Sequence, residues 1–169
     1  MCIIVTILVA GFLAEPDRYA IGYEPTQPMP FSHLIHAGIN HIPCEYCHTN
    51  AGRSRYATVP AFQTCLNCHH FVNSPYSKTI ESLVKSDKSL EWKRIYHLPQ
   101  HVFFDHRAHI NAGIQCQSCH GPVQKMNVVR RVMNMRMGRC LACHRHPEPY
   151  LPPNSSIKRG PTDCTACHR

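Results

Sequence analysis

The chain has 169 residues, with 11 cysteines and 14 histidines against a charged fraction of only 17%. Cysteine at that density means disulfides, a metal, or a cofactor attached through sulfur, rather than an ordinary apolar core alone. The formal charge of +8 resembles that of a nucleic-acid or membrane-surface binder, a reading that holds only if nothing bound to the chain offsets it.

Residues 2–14, CIIVTILVAGFLA, form an uncharged apolar run. Thirteen helical residues reach roughly 20 Å, short of the roughly 30 Å hydrocarbon core. A signal peptide is the plain alternative, but no basic segment precedes the run and no clean small-x-small cleavage site follows it. Residues 1–14 are therefore expected to be the outer end of an N-terminal membrane-anchor helix, with Cys2 as packing. Residues 15–30 carry Pro16, Pro25, Pro28 and Pro30 and read as an extended linker.

Residues 31–70 open on FSHLIH, which contains His33 and His36, and continue to CEYCH at 44–48 and CLNCH at 65–69. Three more copies of this pattern follow: CQSCH at 116–120, CLACH at 140–144 and CTACH at 164–168. C-x-x-C-H is the attachment signature of c-type haem, in which two thiols form thioethers and the next histidine ligates iron. Ten thioether positions follow: Cys44, Cys47, Cys65, Cys68, Cys116, Cys119, Cys140, Cys143, Cys164 and Cys167. The proximal ligands are His48, His69, His120, His144 and His168. Zinc would need four ligands per ion and has no reason to place histidine after every second cysteine. A C-x-x-C disulfide closes too small a loop to staple much chain.

Five covalently bound haems c bring about ten propionate charges, enough to offset the basic excess. Arg53, Arg55, Arg130, Arg131, Arg136 and Arg139 are accordingly read as partners of propionates, with a solvated basic face as the alternative. At about 34 residues per haem the porphyrins replace a large side-chain core. The expected fold is mainly α with much irregular loop and little or no sheet.

The connecting segment, 71–101, lacks cysteine; Ser77 is a plausible N-cap for a helix bearing Ile80, Leu83 and Val84, and Trp92 is the single tryptophan. The second module, 102–146, repeats the first: FDHRAH carries His106 and His109 ahead of CQSCH and CLACH. The offset is 73 residues for the histidines, 72 for the first motif and 75 for the second. Two two-haem modules follow, and the proline-rich segment 147–169 adds a fifth haem at an edge, completing a pentahaem domain over 31–169.

Each iron retains one axial position. A second strong ligand there suits electron transfer, while an open position permits small-molecule chemistry. His33, His36, His106 and His109 are expected as distal ligands, His33 and His106 for the first haem of each module and His36 and His109 for a neighbour. N-capping or propionate bonding is the alternative for these residues. The fifth distal ligand has no repeat to mark it. Met126 and Met137 are the candidates, with His70, His41 and His101 behind them; His97 and His146 are read as surface or propionate contacts.

Several connecting stretches, GYEPTQPMPFSH, SLEWKRIYHLP, FFDHRAHINAGIQCQSCHGPVQKM and MGRCLACHR, resemble the pentahaem cytochrome subunit of bacterial alternative complex III. The local H-x-x-H and C-x-x-C-H pattern is also similar to cytochromes of the c3 and c7 kind. The first resemblance implies a subunit on the periplasmic face of the cell membrane. Its implied partners are an iron–sulfur, molybdopterin-oxidoreductase-like subunit and integral membrane subunits that bind quinol. Electrons would leave to a cytochrome c, a copper protein or a terminal oxidase. The subunit itself would catalyse no bond chemistry and bind no nucleic acid. A free periplasmic multihaem shuttle and a multihaem reductase with one open iron are the alternatives.

Overall fold

The computed structural model describes residues 4–6 and 20–169. Most of the expected anchor therefore lies outside the described residues, of which no helix is long and apolar enough to cross a membrane. The elements are short, as a chain interrupted every few residues by proline and glycine dictates. A π-helix, Leu34–Ile39, is followed by α1 (Cys44–Cys47), α2 (Phe62–His69), α3 (Ser77–Lys85), α4 (His106–Asn111), α5 (Gln117–His120), α6 (Met137–Arg145) and α7 (Cys164–Cys167). Two 3-10 turns lie at Val123–Lys125 and Glu148–Tyr150. In place of a sheet, the described residues contain one isolated antiparallel bridge, Val102 with His168.

Every C-x-x-C-H motif sits on or against one of these turns. Pro43 at ψ 145° feeds Cys44 into α1, and Asp163 caps α7 by accepting the Ala166 N–H at 3.0 Å, so that each pair of thiols falls on one helical turn. Pro147, which disfavours helix at the residue before it, ends α6 at His146. In α3 the expected helical stripe buries Ile80, which is 3% exposed. Ser77, expected as its N-cap, is instead the first helical residue, and Tyr76 takes the capping position. The Ser77 hydroxyl is occupied in the preceding turn, where it donates to the Val72 carbonyl and accepts the Ser74 N–H.

Few side chains are buried outright: Met29, Ala51, Ile80, Met126, Arg131 and Pro147 among the described residues. Packing relies on backbone joins between segments. The π-helix lies on the 3-10 turn Val123–Lys125, with the Leu34 N–H donating to the Met126 carbonyl at 2.9 Å. A Cβ on Gly38 would collide with the Gln124 carbonyl, so the two backbones meet there through glycine.

Residues 20–30, read as a linker, are strapped down at both ends. Gly22 N–H donates to the Arg131 carbonyl at 2.7 Å and Arg131 N–H to Tyr23, while the Gln27 amide exchanges two hydrogen bonds with the Lys93 backbone.

Candidate haem sites

The two H-x-x-H segments are built alike. In the first, Phe31 stacks on His36 at 4.4 Å between ring centres and meets His33 edge-on at 4.8 Å. In the second, Phe104 stacks on His109 at 4.6 Å and meets His106 edge-on at 4.8 Å. One aromatic ring thus fixes two imidazoles at a definite mutual angle.

The residue between Phe and His secures the backbone. Ser32 Oγ accepts the Ile35 N–H at 3.2 Å and its carbonyl takes His36 Nδ1 at 2.8 Å. Asp105 caps α4 through the Arg107 N–H at 2.9 Å, and its carbonyl takes His109 Nδ1 at 2.8 Å. The phenylalanines, Ser32 and Asp105 went unassigned in the sequence, although their recurrence at one position of the repeat was the signal.

The turns then present pairs of imidazoles. His36 faces His69 at 6.2 Å between ring centres, His106 faces His120 at 6.4 Å with planes 6° apart, and His109 faces His144 at 6.0 Å. His101 faces His168 at 5.6 Å with planes 21° apart. His33 and His48 are neighbours as well. Burial first, then the proximity of His48 and His36, lowers the pKa of His33 to about 4. An imidazole nitrogen sits about 2 Å from a bound first-row metal ion, so two rings sharing one ion stand roughly 6 Å apart centre to centre. The observed separations fit one iron between each pair.

In six of these rings the other nitrogen is committed. Nδ1 of His48 donates to the Thr58 carbonyl at 2.6 Å, His106 to Arg55 at 2.9 Å and His144 to Pro161 at 2.6 Å, with His36 and His109 bonded as above. His69 Nδ1 lies 3.2 Å from Ser74 Oγ. A carbonyl on Nδ1 fixes the tautomer, orients the ring and leaves Nε2 to ligate. His33 departs from this pattern: its buried Nδ1 has no hydrogen-bond partner. Burial also lowers His120, to about 4, and His69 and His109, which favours the neutral form that binds metal.

None of the ten motif cysteines pairs in a disulfide, and among the described residues no three His, Cys, Asp or Glu side chains converge on a common metal position. Donors come in twos, which suits a cofactor that supplies its own equatorial nitrogens and needs two axial ligands.

Opposite His168 stands His101, which the sequence ranked behind Met126 and Met137. The Val102–His168 bridge carries His101 into place, and the Phe103 N–H adds a bond to the Cys167 carbonyl. Met137 is 57% exposed on the first turn of α6, and Met126 is buried with its carbonyl bonded to Leu34.

Two arginines read as propionate partners are engaged by protein groups. Arg55 donates to the Phe104 and Val102 carbonyls at 3.1 Å and lies over Phe103 at 4.2 Å. Arg131, 2% exposed, donates to the Ile95 carbonyl between the rings of Tyr23 and Tyr96. A carbonyl held by arginine leaves no mark in the sequence that separates it from a propionate.

Comparison with known proteins agrees with this geometry. Residues 102–169 match the family of cytochrome c7 and related cytochrome c. That match covers the second module, the fifth motif and His101's immediate neighbours. Over nearly its whole length the chain is also similar to the protein named menaquinone reductase, multiheme cytochrome c subunit, of Nitratidesulfovibrio vulgaris. The two are 26% identical, over 98% of this chain and 87% of the relative. Residues 102–169 are thus cytochrome c7-like, and the chain as a whole resembles a multihaem cytochrome c subunit, a class of protein that holds haem c covalently and transfers electrons.

Proposed function

We propose that the chain carries five haems c, each held by two histidines, and passes electrons within a membrane complex that exchanges them with quinone. The proximal ligands are His48, His69, His120, His144 and His168; the distal ligands are His33, His36, His106, His109 and His101, in the pairs described above. The observation that supports this reading is the set of four imidazole pairs spaced for one iron each, with His48 beside His33 as the fifth. Haem bound there supplies a one-electron iron couple. The two histidines of each pair would both ligate its iron, an arrangement that suits electron transfer rather than an open-site reductase.

The complex is of the kind formed by alternative complex III, with an iron–sulfur, molybdopterin-oxidoreductase-like subunit and integral membrane quinone-binding subunits as partners. The resemblance in the connecting stretches supports this, as does a relative named as part of a menaquinone reductase. Residues 1–14 tether the chain and residues 31–169 stand on the periplasmic face, where a cytochrome c, a copper protein or a terminal oxidase meets it.

The test is stopped-flow spectroscopy of the detergent-extracted complex. Mixing with a reduced quinol is expected to reduce the haems before an external acceptor, or, in the opposite direction, oxidised quinone is expected to reoxidise prereduced haems. Haems that neither quinol nor quinone affects overturn the reading. The isolated chain is expected to show no quinol oxidation by itself.

A further inference from the structure

The motifs follow one another along the chain, but the contacts between them follow a different order. The second and first motifs touch at equivalent positions, where Asn67 Nδ2 donates to the Tyr46 hydroxyl at 3.1 Å. The segment His33–His36 gives one histidine to each, His36 facing His69 and His33 lying beside His48. From the first motif the path continues to the third. Residues 54 and 55, just past α1, receive the N-terminus of α4: the Ser54 carbonyl accepts the Arg107 N–H at 3.2 Å, and the Arg55 carbonyl accepts both the N–H and Nδ1 of His106.

α4 in turn joins the third motif to the fourth, placing His106 opposite His120 and His109 opposite His144. The fourth is tied to the approach to the fifth, because Gly160 N–H donates to the His144 carbonyl at 2.8 Å and Pro161 accepts its Nδ1. None of these contacts joins the second motif to the third.

The cysteines repeat the pattern: Cys44 lies beside Cys116, Cys47 beside Cys65 and Cys68, Cys119 beside Cys140 and Cys143, and Cys140 beside Cys167.

We propose that the five attachment sites stand in single file in the order second, first, third, fourth, fifth, so that redox partners meet the row at Cys65–His69 and at Cys164–His168. This rests on the five-haem reading of the chain and adds the direction of traffic to it. The first motif is then an interior station and the second a terminus. Phe71, Val72 and Tyr76, 88%, 55% and 38% exposed, lie just beyond that terminus.

Iron positions located by anomalous scattering or electron microscopy in the native holoprotein test the order. The expected nearest neighbours are second with first, first with third, third with fourth and fourth with fifth, with the second and fifth irons farthest apart. A second iron nearest the third, or a first iron at an end, overturns the order while leaving the haem count intact. Fewer than five irons overturns the count on which the order rests.

A redox titration gives an independent measure. Removing the second site by Cys65→Ala with Cys68→Ala is expected to shift the midpoint potential of one remaining haem, and removing the first by Cys44→Ala with Cys47→Ala to shift two. Equal numbers of shifted haems contradict the order, and if either variant fails to mature the native iron positions decide.

Discussion

A histidine ligates well only if its second nitrogen is spoken for, and here that task falls to backbone carbonyls whose own positions depend on a neighbouring side chain. Asp105 is the clearest case, because its carboxylate caps α4 while its carbonyl holds His109 Nδ1 at 2.8 Å. Its pairing with Arg107 at 3.0 Å is largely exposed on the arginine side and adds little. Losing the cap is worth about 1 kcal/mol. Asp105→Ala is therefore expected to lower the thermal midpoint of the holoprotein and to broaden the low-spin signals of the haems served by His106 and His109. Asp105→Asn, which keeps the cap acceptor, is expected to restore both. Thermal unfolding and electron paramagnetic resonance of the two variants separate capping from charge, since Asn restores one and not the other.

Among the elements, the first H-x-x-H lies on a π-helix and the second on an α-helix, and the spacing to the following motif differs to match. Eight positions separate His36 from Cys44, against seven from His109 to Cys116, and the wider turn absorbs the additional residue. The repeat itself was legible in the sequence because it is a local pattern of residue types. The change of helix type was not, because six residues carry no usable periodicity. The same limit explains Ser77, whose hydroxyl suits a cap but is claimed by the preceding turn. The π-helix also leans on a bare backbone at Gly38. Gly38→Ala would press a methyl group against the Gln124 carbonyl, and overpacking of this kind costs about 1–3 kcal/mol. The expected result is a lower denaturation midpoint with the attached haem count unchanged, read by chemical unfolding and by haem staining of the same sample.

Taken as a whole, the molecule places two imidazoles at each site while burying few side chains of its own. The fully oxidised protein is accordingly expected to contain five haems by pyridine haemochrome assay, all low-spin, and to be unreactive toward carbon monoxide when reduced. His101→Ala is expected to turn one haem of the five high-spin and reactive toward carbon monoxide; five unchanged low-spin haems would return the fifth iron to Met126, Met137 or another donor. The five C-x-x-C-H motifs were legible in the sequence as local patterns, and so were the four histidines of the H-x-x-H repeat. His101 was not, because it belongs to no repeat and reaches His168 only through one β-bridge between distant segments. The carbonyl contacts of Arg55 and Arg131 were hidden for a related reason: what an arginine binds is decided by which groups the fold brings to it.

The histidine pairs also have a topology along the chain. His33 with His48 interlaces with His36 and His69, His106 with His120 interlaces with His109 and His144, and His101 with His168 encloses the latter two. A loop already pinched by an inner closure presents fewer free links to the next one, and each halving of a flexible loop recovers about 0.6 kcal/mol of closure entropy. Closing His109 against His144 roughly halves the slack left to the outermost pair. Assembly by this arithmetic runs from the inside outward, and the terminal station of the row is the last knot to be drawn.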